Sequence, residues 1–387
     1  MGLLMRLSAV CALLLSAGVS GCVGLRLDGS FRTAARDWTS LGGGPGHANN
    51  SSADIRAPFR LMWEYNAQGG IVAQPLVRDS VVLVATLHGE VQAIDLRTGK
   101  RLGYESVGGP VSGTPSLVGT SAVIPVSSTN ASLISLDVRS SRRVWSAVLV
   151  AIESSPLVAG SRVFVSTVEG RIVCLERETG EELWRFSPRS DRDRKPMRSS
   201  PALAGRLVIC GSDDGILYAL DSATGIQQWS RAMTASIFSS PVVAGALVVA
   251  GDIKGTVMCC DAFTGQVRWK IDSHEPVYAS AAHDDDRFIV STSGGTIMAV
   301  DTGTGAVRWR VRAPSVVNAA PLVCGDFVVF GSLDRHVRGL DRRTGAEMWS
   351  IPLAGRVKVS PVVWGDILLL TYEDKTVAAY QSAKGGT

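Results

Sequence analysis

Short apolar runs separated by glycine-containing turns recur along most of the chain. One stretch, residues 237–269, contains the runs IFSSPVV, ALVVAGD, GTVMCCD and QVRW. Runs of this length between glycine turns are typical of β-strands, and no helical period of 3.6 residues competes with them. The pattern therefore predicts four short strands in this stretch.

The same pattern repeats about every 40 residues, each time beginning near a proline. Most units carry an acid about 20 residues after that start, then a Thr-Gly pair, and a Trp four residues after the Gly. The first unit has Gly103 in the Trp position, and the second has Ser140-Ser141 in place of Thr-Gly. The eight units start at Pro75, Pro115, Pro156, Pro201, Pro241, Ala281, Pro321 and Pro361. Four strands repeated eight times predict an all-β fold, a closed eight-bladed β-propeller.

The last unit indicates how the ring closes. Its Trp would be residue 389, but the chain has 387 residues, whereas Trp63 stands 12 residues before Pro75, the spacing found between later Trp and Pro positions. We therefore predict that an N-terminal strand near residues 60–66 completes the eighth blade, which leaves no open sheet edge. The propeller is predicted over residues 37–381, with a C-terminal tail over 382–387.

The N-terminus has the features of an export signal. Arg6 precedes the apolar run LSAVCALLLSAGVS, which is too short to span a membrane, and Gly21-Cys22 follows. The end of the run, VSGC, resembles the bacterial lipobox. That resemblance implies a signal peptide over 1–21, lipidation of Cys22, a lipidated tether over 22–36, and a place at the periplasmic face of the bacterial outer membrane. An ordinary secreted protein with an incidental cysteine is the alternative.

The unit G-x-V-x-A-x-D-x-x-T-G-x-x-x-W, as in GILYALDSATGIQQW, resembles the pyrroloquinoline-quinone-type propeller repeat. With the lipobox, the chain most resembles the BamB-like lipoproteins. The resemblance implies a non-enzymatic scaffold of the outer-membrane β-barrel assembly machinery, without a cofactor. Its expected partners are the periplasmic domains of the barrel-assembly protein or other envelope proteins, and the membrane through the lipid anchor. The formal charge of +4 is too small to indicate a nucleic-acid partner.

Two regions vary where the repeat is otherwise uniform, and both are candidate partner sites. The first is the position three residues before each unit start, which we expect at one mouth of the axial channel. It holds Val72, Ser112, Glu153, Arg198, Phe238, Tyr278, Asn318 and Lys358. A ring containing Glu153, Arg198, Tyr278, Asn318 and Lys358 could bind a peptide or polar ligand, as in a sensor propeller, or it could be a solvated rim.

The second region is the lengthened connection 185–200, RFSPRSDRDRKPMRSS, with Arg189, Arg192, Arg194 and Lys195 among acids. A long charged loop on a rigid scaffold is a reasonable partner site, or simply a solvated one. BamB-like proteins lengthen the same connection and present a Leu-x-Leu-Arg pattern there. The corresponding places here are residues 193–196, DRKP, so the pattern does not carry over.

An enzyme is the alternative class, a periplasmic quinoprotein oxidoreductase. Cys259-Cys260 invites it, since some quinoprotein dehydrogenases hold a disulfide between adjacent cysteines over the cofactor. However, both cysteines stand in columns that are small or apolar in the other units, which predicts core packing. The acids Asp284–Asp286 fall in a strand connection and are predicted to form a solvated turn. No catalytic, cofactor-binding or metal-binding residue is predicted.

Overall fold

The computed structural model describes Gly24, Leu25, Leu27, Phe31, Arg32, Ala34 and residues 36–128, 131–188, 194–373 and 375–383. The predicted signal peptide, Cys22 and residues 384–387 of the predicted tail lie outside the described residues. Apart from one 3₁₀ turn at Leu41–Gly43, the regular elements of this part are β-strands. Among the residues described, no helix is long and apolar enough to cross a membrane.

Eight antiparallel sheets of four strands form the blades, and one sheet carries an added short strand. The chain first forms β1 (Asn50–Ser51) and β2 (Phe59–Asn66). Blade 1 consists of β3 (Leu76–Arg78), β4 (Val81–Ala85), β5 (Glu90–Asp95) and β6 (Arg101–Ser106). Blade 2 consists of β7 (Ser116–Val118), β8 (Ser121–Pro125), β9 (Leu133–Asp137) and β10 (Arg142–Ala147). Blade 3 consists of β11 (Leu157–Ala159), β12 (Arg162–Ser166), β13 (Ile172–Glu176) and β14 (Glu182–Phe186). Blade 4 consists of β15 (Ala202–Ala204), β16 (Leu207–Gly211), β17 (Ile216–Asp221) and β18 (Gln227–Ala232).

The second half repeats the arrangement. Blade 5 consists of β19 (Val242–Ala244), β20 (Leu247–Gly251), β21 (Thr256–Asp261) and β22 (Val267–Asp272). Blade 6 consists of β23 (Ala282–Asp284), β24 (Arg287–Ser291), β25 (Thr296–Asp301) and β26 (Val307–Arg312). Blade 7 is β27 (Leu322–Cys324), β28 (Phe327–Ser332), β29 (His336–Asp341) and β30 (Glu347–Pro352); blade 8 contains β31 (Val362–Trp364), β32 (Ile367–Tyr372) and β33 (Thr376–Ser382). The first strand of each blade lies nearest the axis.

Strand β2 completes blade 8, as the sequence predicted. It pairs antiparallel with β33, with Trp63 opposite Ala379 in the column where other blades place their own Trp. The two ends of the chain therefore close the ring, and the predicted eight-bladed, four-stranded architecture is confirmed.

Consecutive antiparallel strands place alternate turns on opposite faces of the ring. The Thr-Gly turns lie on one face, which we call the Thr-Gly face. The connections between blades lie on the other, which we call the linker face. This assignment locates each candidate site.

The repeated residues join each blade to the next. In blade 5, the Asp261 carboxylate accepts hydrogen bonds from the backbone N–H groups of Phe263 and Thr264 at 3.1 and 3.0 Å, which shapes the turn. Gly265 follows with φ of +67°, and a Cβ there would lie 2.6 Å from the Trp229 ring of blade 4. The Trp229 indole N–H donates to the Ala262 carbonyl at 3.1 Å. The glycine thus allows the turn and the close approach of the ring, so the motif is a blade-to-blade lock.

Residues 37–56 wind around the inside of the ring and fill its Thr-Gly end. Trp38 exchanges two backbone hydrogen bonds of 2.8 Å with Val77 of blade 1, and β1 pairs parallel with β27 of blade 7. Between these points, carbonyls of the segment accept inner-strand N–H groups in blade order: Thr39 from Leu117, Pro45 from Leu203, Gly46 from Val243 and Ala48 from His283. The glycine-rich stretch 41–50 is therefore an ordered floor of the channel.

The blade 1–blade 2 seam is built differently. Gly103 replaces the Trp and Ser141 replaces the Gly, and the N-terminal segment covers the gap. Leu25, Leu27 and Phe31 are only 4, 8 and 9% exposed and join the core cluster of blades 1 and 2. The Leu25 N–H donates to the Ser141 hydroxyl at 2.6 Å. Part of the predicted tether is thus packed against the propeller.

Candidate functional site

The variable ring predicted from the sequence lies around one pocket on the linker face. The pocket has a volume of about 200 Å³, and its lining includes Glu153, Tyr278, Asn318 and Lys358. Each side chain stands just before the inner strand of its blade, so the blades point the ring at the axis. Val72, Ser112 and Phe238 also line the pocket. Arg198 stands beside it, paired with Glu153 at 3.0 Å.

The wall below the ring is made of small hydroxyl side chains that link neighbouring blades. The Thr114 N–H donates to Ser155 Oγ at 2.8 Å, and the Ser155 N–H donates to Ser200 Oγ at 2.9 Å. The floor is Leu41 with Gln74, whose side-chain oxygen accepts from Trp38 Nε1 at 3.2 Å and from the Gly42 N–H at 3.1 Å. The pocket therefore opens on the linker face, and the N-terminal segment closes its other end.

The charges of the ring are largely compensated by neighbours. Arg198 contacts both Glu153 and Asp213, and Lys358 reaches Glu373 at 2.5 Å. Burial raises the pKa of Asp213 to about 6, although the Arg198 charge works in the opposite direction. The pKa of Glu373 is lowered by hydrogen bonds from Lys358 and Arg356. A ligand of this pocket would have to compete with existing ion pairs for the charged groups.

The aromatic side of the ring is more accessible. Phe238 and Tyr278 stack with their ring centroids 5.9 Å apart and an interplanar angle of 26°. The Arg198 guanidinium lies 5.5 Å from the Phe238 centroid, and Tyr278 is 43% exposed. Stacked aromatic rings beside an amide and a paired cation form a surface that suits an extended peptide.

The residues present do not fit a calcium-bound quinone. Calcium requires several oxygen ligands with net negative charge. Glu153 of blade 3 is held by Arg198, and Asn318 on the far side of the ring stands one blade from Lys358. No group of three or more His, Cys, Asp or Glu side chains within the described ranges could hold a metal ion.

The adjacent cysteines are core residues, as the repeat columns predicted. Cys259 and Cys260 are free thiols on β21 with no exposed surface, and they pack into two different clusters on opposite faces of the strand. Burial raises their pKa values to about 12 and 11. Neither thiol lies over the pocket.

Asp284 corrects one detail of the sequence interpretation. It was expected in a solvated turn with Asp285 and Asp286, but it is only 2% exposed. Its carboxylate accepts from Arg342 Nη1 at 3.0 Å, and burial raises its pKa. Only Asp285 and Asp286 lie at the surface.

The lengthened connection ends against the propeller on the linker face. The Met197 side chain is fully buried, and the Met197 backbone N–H donates to the Thr167 carbonyl at 3.0 Å. Of the predicted basic residues, Lys195 is exposed and Arg194 is half-buried, whereas Arg189 and Arg192 lie outside the described residues. The connection leads directly into Arg198, so the two candidate regions are neighbours.

A third feature, missed in the sequence, lies next to this connection. Val148, Leu149, Arg171 and Arg185 line a recess of about 260 Å³ between blades 2 and 3, and Val148 is 68% exposed. The signal was present in the repeat, because the residue three places after the Trp is Asp, Arg or Pro in blades 5–7 but Val here. An exposed apolar side chain flanked by arginines is typical of a protein-binding surface.

Comparisons with known proteins agree with this architecture. A family model described as outer membrane protein assembly factor BamB matches residues 57–154, 129–281 and 253–387. The crystal structure of BamB from Moraxella catarrhalis superposes with a TM-score of 0.74 at 21% identity, covering 84% of this chain and 100% of that one. At that identity the likeness concerns the fold.

Curated relatives come from two functional classes. BamB of Kangiella koreensis is 30% identical over a match covering 27% of this chain and 29% of that protein. The quinohemoprotein alcohol dehydrogenase of Comamonas testosteroni is 28% identical over 42% of this chain and 27% of that protein. The matches thus span between 27 and 42% of the length of these curated relatives.

Proposed function

Because the chain belongs to the family of the outer membrane protein assembly factor BamB, we propose that it is a non-enzymatic scaffold of the outer-membrane β-barrel assembly machinery. It is anchored through an acylated Cys22 at the periplasmic face of the membrane. The observation that carries the proposal is the family match over residues 57–387, which includes every blade. Its partners are the periplasmic domains of the barrel-assembly protein.

The linker face supplies the partner surface. The pocket ring, the end of the 185–200 connection and the recess at Val148 all lie on that face. Interfaces of this kind combine an apolar anchor with a polar, charged rim. Val148 would be the anchor, and Lys195 and Arg185 would belong to the rim.

The propeller contributes a rigid binding surface. Blade-to-blade Trp locks and the hydroxyl wall of blades 2 to 5 hold these side chains at fixed separations. A partner therefore loses little binding energy to ordering this surface.

A quinoprotein oxidoreductase is the competing function, favoured by the match to the Comamonas enzyme. The site chemistry argues against it, because Glu153 is paired and the adjacent thiols are buried in the core. A quinone-binding titration of the purified protein separates the two functions.

The experiment is extraction of the tagged protein from its own membranes in mild detergent, with quantitative mass spectrometry of co-eluting proteins. We expect the barrel-assembly components in stoichiometric amounts. Val148→Asp should lower their recovery at least about tenfold, since it places a charge in the apolar centre of the interface. Ile226→Asp is the matched control, because Ile226 is 62% exposed but lies on the Thr-Gly face.

Two results would refute the proposal. One is recovery of the wild-type protein alone, and the other is equal loss with both variants. Acylation is checked separately by the mass of the N-terminal peptide and by Cys22→Ala, which should release the protein from the membrane.

A further inference from the structure

The Thr-Gly turns of blades 1 and 2 carry a cluster of exposed basic side chains. We call it the basic rim: Arg97, Lys100, Arg139 and Arg142. Across the described part of the chain, none of the four forms an ion pair with a carboxylate. The rim therefore keeps its positive charge at the surface.

Each of these turns carries one acid for two rim cations, so the acids offset only part of the positive charge of the rim. Asp95 Oδ1 accepts from the N–H groups of Arg97 and Thr98 at 3.2 and 2.7 Å. Asp137 accepts from Thr120 Oγ1 at 2.6 Å and from the Ser140 N–H at 2.7 Å. Both carboxylates are committed to holding the backbone of their own turns.

The corresponding turns of other blades are balanced. Arg268 pairs with Asp261 at 2.9 Å, Arg308 pairs with Asp301, and Arg342 pairs with Asp284 at 3.0 Å. The blade 3 turn is itself acidic, with Glu178, Glu181 and Glu182 in the sequence ERETGEELW. The unbalanced positive charge is thus concentrated at one seam.

The N-terminal segment reaches the propeller at that same seam. A Cβ on Gly24 would lie 2.8 Å from the Ser141 hydroxyl, and Leu25 donates to that oxygen. Cys22 precedes Gly24 by two residues in the sequence, and two residues of chain span at most about 7 Å. An acyl chain on Cys22 would enter the membrane beside the basic rim.

We propose that the basic rim docks on the phosphate groups of anionic phospholipids and sets the orientation of the ring on the membrane. The proposal rests on the acylated Cys22 of the proposed function. An acyl anchor and a basic cluster are two signals that reinforce each other, and each basic side chain near an anionic surface adds to the attraction. The Thr-Gly face at blades 1 and 2 then lies against the lipid, and the linker face points into the periplasm.

The test uses the naturally processed protein purified from its membranes and reconstituted on two kinds of vesicle. One contains phosphatidylcholine alone, and the other contains phosphatidylcholine with phosphatidylglycerol. Hydrogen exchange of segments 97–101 and 139–143 is the readout. We expect protection on the anionic vesicles only, and loss of that protection at high salt.

A matched pair of variants isolates the rim. Arg97, Lys100, Arg139 and Arg142 are changed together to Gln, and the control changes four exposed basic residues of blades 5–7, Lys254, Lys270, Arg310 and Arg343, to Gln. The rim variant should lose at least about tenfold of the lipid-dependent protection, and the control should keep it. Equal protection on the two lipids, or equal behaviour of the two variants, would overturn the proposal.

Failure of the anchor is distinguishable from failure of the rim. If the N-terminal peptide carries no lipid, the anchor is wrong, and flotation of the protein with anionic vesicles still tests the rim. If the rim becomes protected only when barrel-assembly proteins are added to neutral vesicles, the rim is a protein contact and the lipid proposal is wrong.

Discussion

The seam between blades 5 and 6 and the seam between blades 1 and 2 solve one packing problem in two ways. At the first, the Trp269 indole donates to the Thr302 carbonyl at 2.8 Å and lies over Gly305. At the second, neither the Trp nor the Gly is present, and Leu25, Leu27 and Phe31 cover the gap. Both partners of the lock are absent from the same seam, where Gly103 and Ser141 stand in their places.

The difference shows that residues outside the repeats, in the N-terminal segment, are part of the packed propeller. Residues that lie outside the periodic pattern seal a seam at which the repeat supplies neither the Trp nor the Gly. The N-terminal segment is therefore a structural part of blades 1 and 2 as well as the path to Cys22.

The largest expected effect is at the regular seam. Trp269 is 7% exposed, so Trp269→Ala removes a buried ring and should lower the free energy of unfolding by about 3–5 kcal/mol. Chemical denaturation measures it. A loss below about 1 kcal/mol would show that the blade core, and not the lock, holds this seam.

The irregular seam should respond less and more locally. Replacing Leu27 and Phe31 by Ala should lower the free energy of unfolding by about 2–3 kcal/mol, because a terminal segment can detach without opening the blades. Hydrogen exchange should rise in β6 and β10 and stay unchanged in β22. Faster exchange throughout the ring would contradict a local role.

Lowering the pH should also destabilise the seam between blades 5 and 6 more than the seam between blades 1 and 2. Burial raises the pKa of Glu275, but hydrogen bonds from Thr292 and Arg312 outweigh it and bring the pKa to about 2. Because this folded-state pKa lies below the unfolded value, its stabilisation is present at neutral pH and is lost as pH falls from about 4.5 to 2. The equivalent position at the blade 1–blade 2 seam is Gly109.

Glu275→Gln should therefore lower the free energy of unfolding at pH 7 by about 2 kcal/mol and flatten its dependence on pH between 4.5 and 2. Denaturation at several pH values measures both. An unchanged pH slope would mean that the carboxylate is not engaged in solution.

The smallest effect separates backbone strain from the hydrogen bond at Ser141. Ser141 has φ of +55°, which glycine tolerates better than serine or alanine. Ser141→Gly and Ser141→Ala both remove the acceptor of the Leu25 N–H, but only Gly relieves the backbone. The Gly variant should be more stable than the Ala variant by about 1 kcal/mol in thermal denaturation.

The repeat allowed the sequence to predict the blades, the strand that closes the ring and the burial of Cys259 and Cys260. Each of those features follows from a column that recurs, so many units report the same local rule. The positions of the ring residues were accessible for the same reason. Their partners were not, because Arg198 contacts Glu153 and Asp213 through side-chain geometry that no spacing encodes.

The N-terminal segment was the main feature beyond prediction. Its pairing with the inner strands uses backbone groups, which carry no sequence signal. Leu25, Leu27 and Phe31 are isolated apolar residues without periodicity, and only the vacant Trp position gave a reason for their burial. The recess at Val148 was predictable in principle, since its column holds Asp, Arg or Pro in blades 5–7.

The floor of the channel also constrains the order in which the chain can fold. Asn49 pairs with blade 7 through Val323, and Arg56 pairs with Ala383, more than 270 residues later. Residues 37–48 find their backbone partners in blades 1 to 6, but residues 49–66 find theirs only after blades 7 and 8 are available, and contacts this distant slow folding. A chain exported from its N-terminus, as the proposed function requires, would hold the backbone of residues 49–66 unpaired until translocation is nearly complete.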